Sequence, residues 1–153
     1  MAGRGPGTVG GVTTYETIRL EVAASRATVT LQRPAALNAI TPRMLDELGD
    51  AFGRLASVEA LVVVVLTGAG RAFSAGVDLK ALGDRALTNG TVGDVLDLPA
   101  RELIKQIIQL PAVVVAKVNG VCFTGALELA LACDVVLVAK EAKLGDTHAK
   151  FGL

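Results

Sequence analysis

The amino-acid sequence predicts a layered α/β domain, and three observations predict it. Residues 61–67, 113–118 and 135–139 are short, nearly continuous runs of valine, leucine and other small apolar residues, the length and character of strands covered on both faces. Between them lie stretches whose apolar residues recur at helical spacing. The composition, 52% hydrophobic and 20% charged over 153 residues, supplies one buried core and too little length for two ordinary domains.

The elements follow in order. Residues 1–14 are rich in Gly and Thr, contain Arg4 and Pro6, and lack the apolar stretch of a secretory signal; they read as a flexible leader to a core over residues 15–153. Residues 17–22 and 27–32 carry β-branched side chains in partial alternation, and the short link at 23–26 predicts a hairpin. Thr41 before Pro42 is a helix N-cap followed by proline at the first helical position, and Met44, Leu45, Leu48, Ala51, Phe52 and Leu55 form one apolar face. Residues 61–67, ended by Gly68, predict a central strand. Residues 82–99 mix Gly, Asp, Asn and Thr with a few leucines at weak periodicity and predict no defined element. Beyond Pro99, Leu103, Ile104, Ile107 and Ile108 make an apolar stripe opposite Arg101, Glu102, Lys105, Gln106 and Gln109, an amphipathic helix. A second buried strand at 113–118, a compact apolar helix at 125–133 and a third buried strand at 135–139 complete the alternation.

Charge and cysteine usage exclude several function classes. Lys plus Arg (15) balance Asp plus Glu (15), so no net field draws the chain to nucleic acid or to an anionic membrane. The apolar runs fall short of the roughly 20 residues needed to span a bilayer, and a soluble, cytoplasmic protein is expected. Cys122 and Cys133 lie inside apolar runs, which suits buried thiols in a reducing compartment better than a disulfide framework or a metal site.

Two glycine-bearing loops carry the chemistry. The first runs from Thr67 to Lys80 and contains Gly68, Gly70 and Gly76. A dinucleotide fingerprint fails because Phe73 stands where the third glycine is required, and no Gly-Lys-Ser/Thr closes a Walker loop. Two readings stay open: a plain strand-to-helix turn, or a turn whose freed N–H groups hold a carbonyl oxygen as it gains negative charge.

The second loop, Asn119-Gly120-Val121-Cys122-Phe123-Thr124-Gly125, leads into the apolar helix. Gly125 has no side chain to keep a ligand from its N–H. Glu128 is flanked by Ala126, Leu127, Leu129, Ala130, Leu131 and Ala132. A carboxylate so surrounded is expected to have a partner, to face a cavity or to carry a raised pKa suited to acid–base work.

Taken together, Arg33-Pro34-x-x-Leu37-Asn38-Ala39, the Phe73-Ser74-Ala75-Gly76-x-Asp78-Leu79 segment, and Asn119-Gly120 followed by Gly125 and residues 127–134 resemble the enoyl-CoA hydratase/isomerase (crotonase) superfamily in order and spacing. The resemblance covers residues 17 to 153. It implies a spiral of ββα units that binds acyl-CoA thioesters and stabilises their enolate, with the thioester oxygen held by two backbone N–H groups at Val77 and Gly125. It also implies coenzyme A contacts around Ala36 and Leu37 and at Ala75, Gly76, Asp78 and Leu79. No metal or redox cofactor is implied, coenzyme A being part of the substrate. A homo-oligomer, trimer or hexamer, is implied where the family's C-terminal helical part is present. Here the chain ends at Phe151-Gly152-Leu153 after a turn, and that part is expected to be missing.

Typical hydratases of the family set two glutamates across the substrate. Glu128 matches the first, and His148 stands at the second. An imidazole with a pKa near 6.5 is either a replacement acid–base group or an exposed turn residue, and Asp146 is a nearby alternative. The family's Gly-Gly-Gly before the helix is Thr124-Gly125-Ala126 here. Asp78 and Asp134 read as helix-end or turn residues. Hydration of a 2-enoyl-CoA is the leading expectation, and a non-catalytic acyl-CoA-binding module or another crotonase-type reaction the alternatives.

Overall fold

The computed structural model describes residues 10–82 and 96–147. The chain alternates short strands and helices in two sheets. The strands β1 (Gly11–Thr14), β2 (Ile18–Ala23), β3 (Arg26–Leu31), β4 (Val63–Gly68), β6 (Val113–Val118) and β8 (Val135–Val138) form a six-stranded sheet in that spatial order. The strands β5 (Ala72–Ser74), β7 (Val121–Phe123) and β9 (Leu144–Gly145) form a small parallel sheet. The helices are α1 (Pro42–Leu55), α2 (Leu79–Leu82), α3 (Leu98–Gln109) and α4 (Gly125–Leu131).

The hairpin β2–β3 is antiparallel, and β3, β4, β6 and β8 run parallel, as a ββα spiral requires. Each strand of the large sheet that enters the spiral is followed by a strand of the small one (β4 by β5, β6 by β7), and the connecting turns place both glycine loops at one end of the fold. Alternate residues of β3, β4 and β6, among them Val29, Leu66 and Val118, point into a single core with Met44, Leu48, Phe52, Leu103 and Ile107 of the helices.

Helix α1 forms as its sequence dictates: Thr41 Oγ accepts from Met44 N–H at 3.1 Å, Pro42 takes the first helical position, and the apolar face is buried. Glu47 also lies on that buried face. Its carboxylate accepts Thr17 N–H at 2.8 Å, Glu16 N–H at 3.1 Å and the Thr17 hydroxyl, while Arg43 approaches at 2.9 Å, so it pins the start of β2 to α1.

Three expectations are corrected. Gly11–Thr14, placed in the leader, pairs with β2 as an edge strand; residues 1–9 lie outside the described residues, as do residues 83–95. The strand at 135–138 is not buried. Among the described residues it pairs with β6 on one side only and leaves Val135, Leu137 and Val138 41–57% exposed, because an apolar run specifies a strand but not its place at the sheet edge. Glu128 is exposed as well, although buried surroundings were expected. In α4, Ala126, Leu129 and Ala130 face the core at helical spacing, and Glu128 shares the outward side with Leu131, 67% exposed.

Candidate active site

The first loop is fastened to the segment after β3. Ala75 N–H donates to Leu37 O at 3.0 Å, Ile40 N–H to Gly76 O at 2.8 Å and Asp78 N–H to Ile40 O at 2.8 Å. Ile40 thus bridges Val77 in the parallel sense. In such a bridge Ile40 spends both its backbone groups on the neighbours of Val77, so the N–H of Val77 itself is directed away from Ile40. Among the described residues it meets no acceptor.

The second loop lies against the first. A β-carbon placed on Gly125 would sit 3.7 Å from Val77 Cγ2 and 3.9 Å from Ile40 Cδ1, so the bare face of Gly125 is turned to Val77. Gly125 N–H opens α4 ahead of the first intrahelical bonds, those of Leu127 and Glu128 N–H to Thr124 O, and among the described residues it too is without an acceptor. The fold therefore sets the N–H-bearing residues of two separate loops beside one another.

Side chains that the motifs contain, but to which no role was assigned, hold this arrangement. Asn38, fully buried, donates to Ala69 O and Ala72 O, both at 2.9 Å, and accepts Arg33 N–H at 2.8 Å. Asn119 donates to Gly70 O at 2.9 Å and accepts Gly68 N–H at 3.2 Å. Ser74, also buried, accepts Gly76 N–H at 3.2 Å. An amide side chain next to an apolar run, as Asn38 is to Ala39-Ile40 and Asn119 to the strand before it, was the available signal, since a buried amide must find backbone partners.

Arg33 reaches Ala39 O at 2.5 Å and Asp78 at 3.0 Å. Asp78 in turn accepts Ala81 N–H at 3.1 Å, capping α2. Burial raises the Asp78 pKa, but the Ala81 N–H bond, the Arg33 hydrogen bond and charge, and the Lys80 N–H bond outweigh it and leave the carboxyl below its ordinary range. Asp134 accepts Val114 N–H at 2.7 Å and anchors the start of β6. Asp78 thus stands at a helix end, as expected, whereas the Asp134 side chain serves the neighbouring strand β6. Ala36 and Leu37 stand part-exposed beside Ala75, Asp78 is part-buried and Leu79 58% exposed, while Gly76 is buried against Thr124 and Phe123. Glu128 follows Gly125 on α4 with its carboxylate in the open. His148 lies outside the described residues.

A family model described as enoyl-CoA hydratase/isomerase matches residues 21–153. This chain belongs to the enoyl-CoA hydratase/isomerase family. It is 40% identical over 139 residues to a probable enoyl-CoA hydratase of Rhodobacter capsulatus, covering 91% of this chain and 52% of the relative. It is 39% identical over 127 residues to probable enoyl-CoA hydratase 1, peroxisomal, of Arabidopsis thaliana, covering 83% and 46%. Among solved structures, an enoyl-CoA hydratase/carnithine racemase from Magnetospirillum magneticum superposes with a TM-score of 0.85 at 33% identity over 92% of this chain and 52% of that one. An enoyl-CoA hydratase from Bacillus anthracis gives 0.82 at 31%, over 90% and 53%. The fold is of the crotonase type, and the chain spans about half the length of the relatives it matches.

Proposed function

We propose that the protein binds acyl-CoA thioesters, holds the thioester oxygen between Val77 N–H and Gly125 N–H, and hydrates 2-enoyl-CoA. The observation that carries this reading is the placement of Gly125 beside Val77 while both N–H groups lack an acceptor among the described residues. Two donors fixed in advance where charge will develop cost no reorganisation during reaction. In this mechanism water adds its oxygen to C3 as Glu128 takes a proton from it, and the C2=C3 electron pair moves through C2 onto the thioester oxygen. The enolate collapses as C2 takes a proton back from Glu128, with His148 as the second acid–base group, leaving 3-hydroxyacyl-CoA. No metal or redox group is required. Ala36, Leu37, Ala75, Gly76, Asp78 and Leu79 contact the coenzyme A part.

Crotonyl-CoA turnover tests the reading. Glu128→Gln is expected to lower the rate about a hundredfold or more, and unchanged turnover would remove Glu128 from the mechanism. A second reading, an acyl-CoA-binding module without turnover, is favoured by His148 at the place of the second glutamate and by the exposure of Glu128. It predicts heat of binding with a saturated acyl-CoA and no hydration. An isomerase or hydrolase would share the oxygen-binding pair and differ in products, which analysis across an acyl-CoA panel separates.

Among the described residues no helix is long and apolar enough to cross a membrane. We place the protein in the cytoplasm, acting as a homo-oligomer, a trimer or hexamer, where the family's C-terminal helical part is present. Leu131, Val135, Leu137, Val138 and Leu144, all more than 40% exposed, supply apolar surface for such contacts. Sedimentation gives the assembly directly, and a monomer at micromolar concentration would refute it.

A further inference from the structure

Thr124 holds φ +48° and ψ −121°, a conformation open to glycine and sterically costly for a β-branched residue. Its backbone is held from both sides: the N–H donates to Gly145 O at 3.0 Å, and the carbonyl accepts Leu127 N–H at 2.8 Å and Glu128 N–H at 3.1 Å. Among the described residues its hydroxyl makes no hydrogen bond, so pairing of that group does not explain the threonine. Its shape does. A β-carbon on Gly76 would fall 2.2 Å from Thr124 Oγ and 2.8 Å from Phe123 O, which means the hydroxyl fills the space that the missing side chain of Gly76 leaves. Gly76 itself stands at φ +92°. Since Gly76 precedes Val77 and Thr124 precedes Gly125, this one contact joins the residues next to the two N–H groups that have no acceptor among the described residues.

We propose that Thr124 is a positioning residue, a strained wedge whose contact with Gly76 sets the spacing of Val77 N–H and Gly125 N–H. Its consequence for ligands rests on the oxygen-binding role proposed above; its geometry does not. Strain retained beside a site, where glycine would relieve it, is the pattern expected when stability is given up for preorganisation.

The test combines three readouts on Thr124→Gly and Thr124→Ser: the melting temperature, the amide resonances of Val77 and Gly125, and affinities for butyryl-CoA and acetoacetyl-CoA, whose ionised form carries enolate charge. Thr124→Gly is expected to raise the melting temperature by about 3 °C, to move both amide resonances, and to lower the acetoacetyl-to-butyryl affinity ratio about tenfold. Thr124→Ser, which keeps the hydroxyl against Gly76, should restore the ratio to within about twofold of the parent. A lower melting temperature in Thr124→Gly, unmoved amides, or an unchanged ratio in a protein that binds both thioesters would each overturn the wedge. If the parent binds neither thioester while Thr124→Gly still melts higher with both amides moved, the wedge stands and the acyl-CoA reading falls.

Discussion

Asn38 and Asn119 donate to the same backbone oxygen, that of Ala72, at 2.9 and 3.3 Å. One amide comes from the turn after β3 and the other from the turn after β6, and between them they also hold the carbonyls of Ala69 and Gly70. The turn from β4 into β5, which delivers the first loop, is therefore clamped by side chains that satisfy the carbonyls of Ala69, Gly70 and Ala72.

The clamp predicts unequal costs. Asn38→Ala, which removes a fully buried amide and the two bonds it donates to Ala69 O and Ala72 O, is expected to destabilise by about 2–3 kcal/mol, and Asn119→Ala, at a part-exposed site, by about 1 kcal/mol. The double variant should lose about 0.5 kcal/mol or more beyond the sum, because only then is Ala72 O left without either amide. Urea titrations of the four proteins measure this, and strict additivity would show that the shared acceptor does not matter.

The two loop glycines should differ sharply. Gly76→Ala forces a β-carbon into Thr124 and Phe123 at φ +92° and is expected to cost about 3 kcal/mol or more. Gly125→Ala meets only ordinary contacts with Val77 and Ile40 and should shift stability by less than about 1 kcal/mol while weakening acyl-CoA binding. Melting curves beside butyryl-CoA titrations distinguish the two outcomes.

Acid stability should depend on Asp78 and Glu47. For Glu47 as for Asp78, burial raises the pKa; hydrogen bonds from the Thr17 hydroxyl and from the Thr17 and Glu16 N–H groups, together with the Arg43 charge, bring it below the ordinary value. A carboxyl depressed in the folded state adds stability above its unfolded pKa, near 4, and loses it as pH falls through the folded value. Glu47→Gln and Asp78→Asn should each lower stability at pH 7 and flatten its decline below about pH 4. An acid limb as steep as the parent's in both variants would refute this.

The thiols should be inert in the folded protein. Burial pushes Cys122 up to about 11, and burial with the nearby Asp134 charge pushes Cys133 up to about 12. At pH 8 neither supplies appreciable thiolate, so alkylation should proceed at the rate of unfolding. Rapid labelling without denaturant would contradict the burial of both.

Local pattern by itself determined much of this protein. Thr41-Pro42 and the apolar face behind them specify α1, the valine runs specify β4 and β6, and the loop motifs identify the family before any coordinates. These features are legible because capping, helical period and strand composition act over a few residues. The small sheet was not legible, since strands of two or three residues such as Ala72–Ser74 and Leu144–Gly145 carry no period and exist only because the parallel spiral lays them side by side. Nor was the setting of Glu128, because counting apolar neighbours along a helix cannot say which side the core lies on. Only the tertiary structure decided that Gly125 faces Val77 and that Thr124 lodges against Gly76. Those contacts join residues far apart in the chain, and their distances depend on how β4 and β6 are placed in one sheet, a matter of packing that no local pattern encodes.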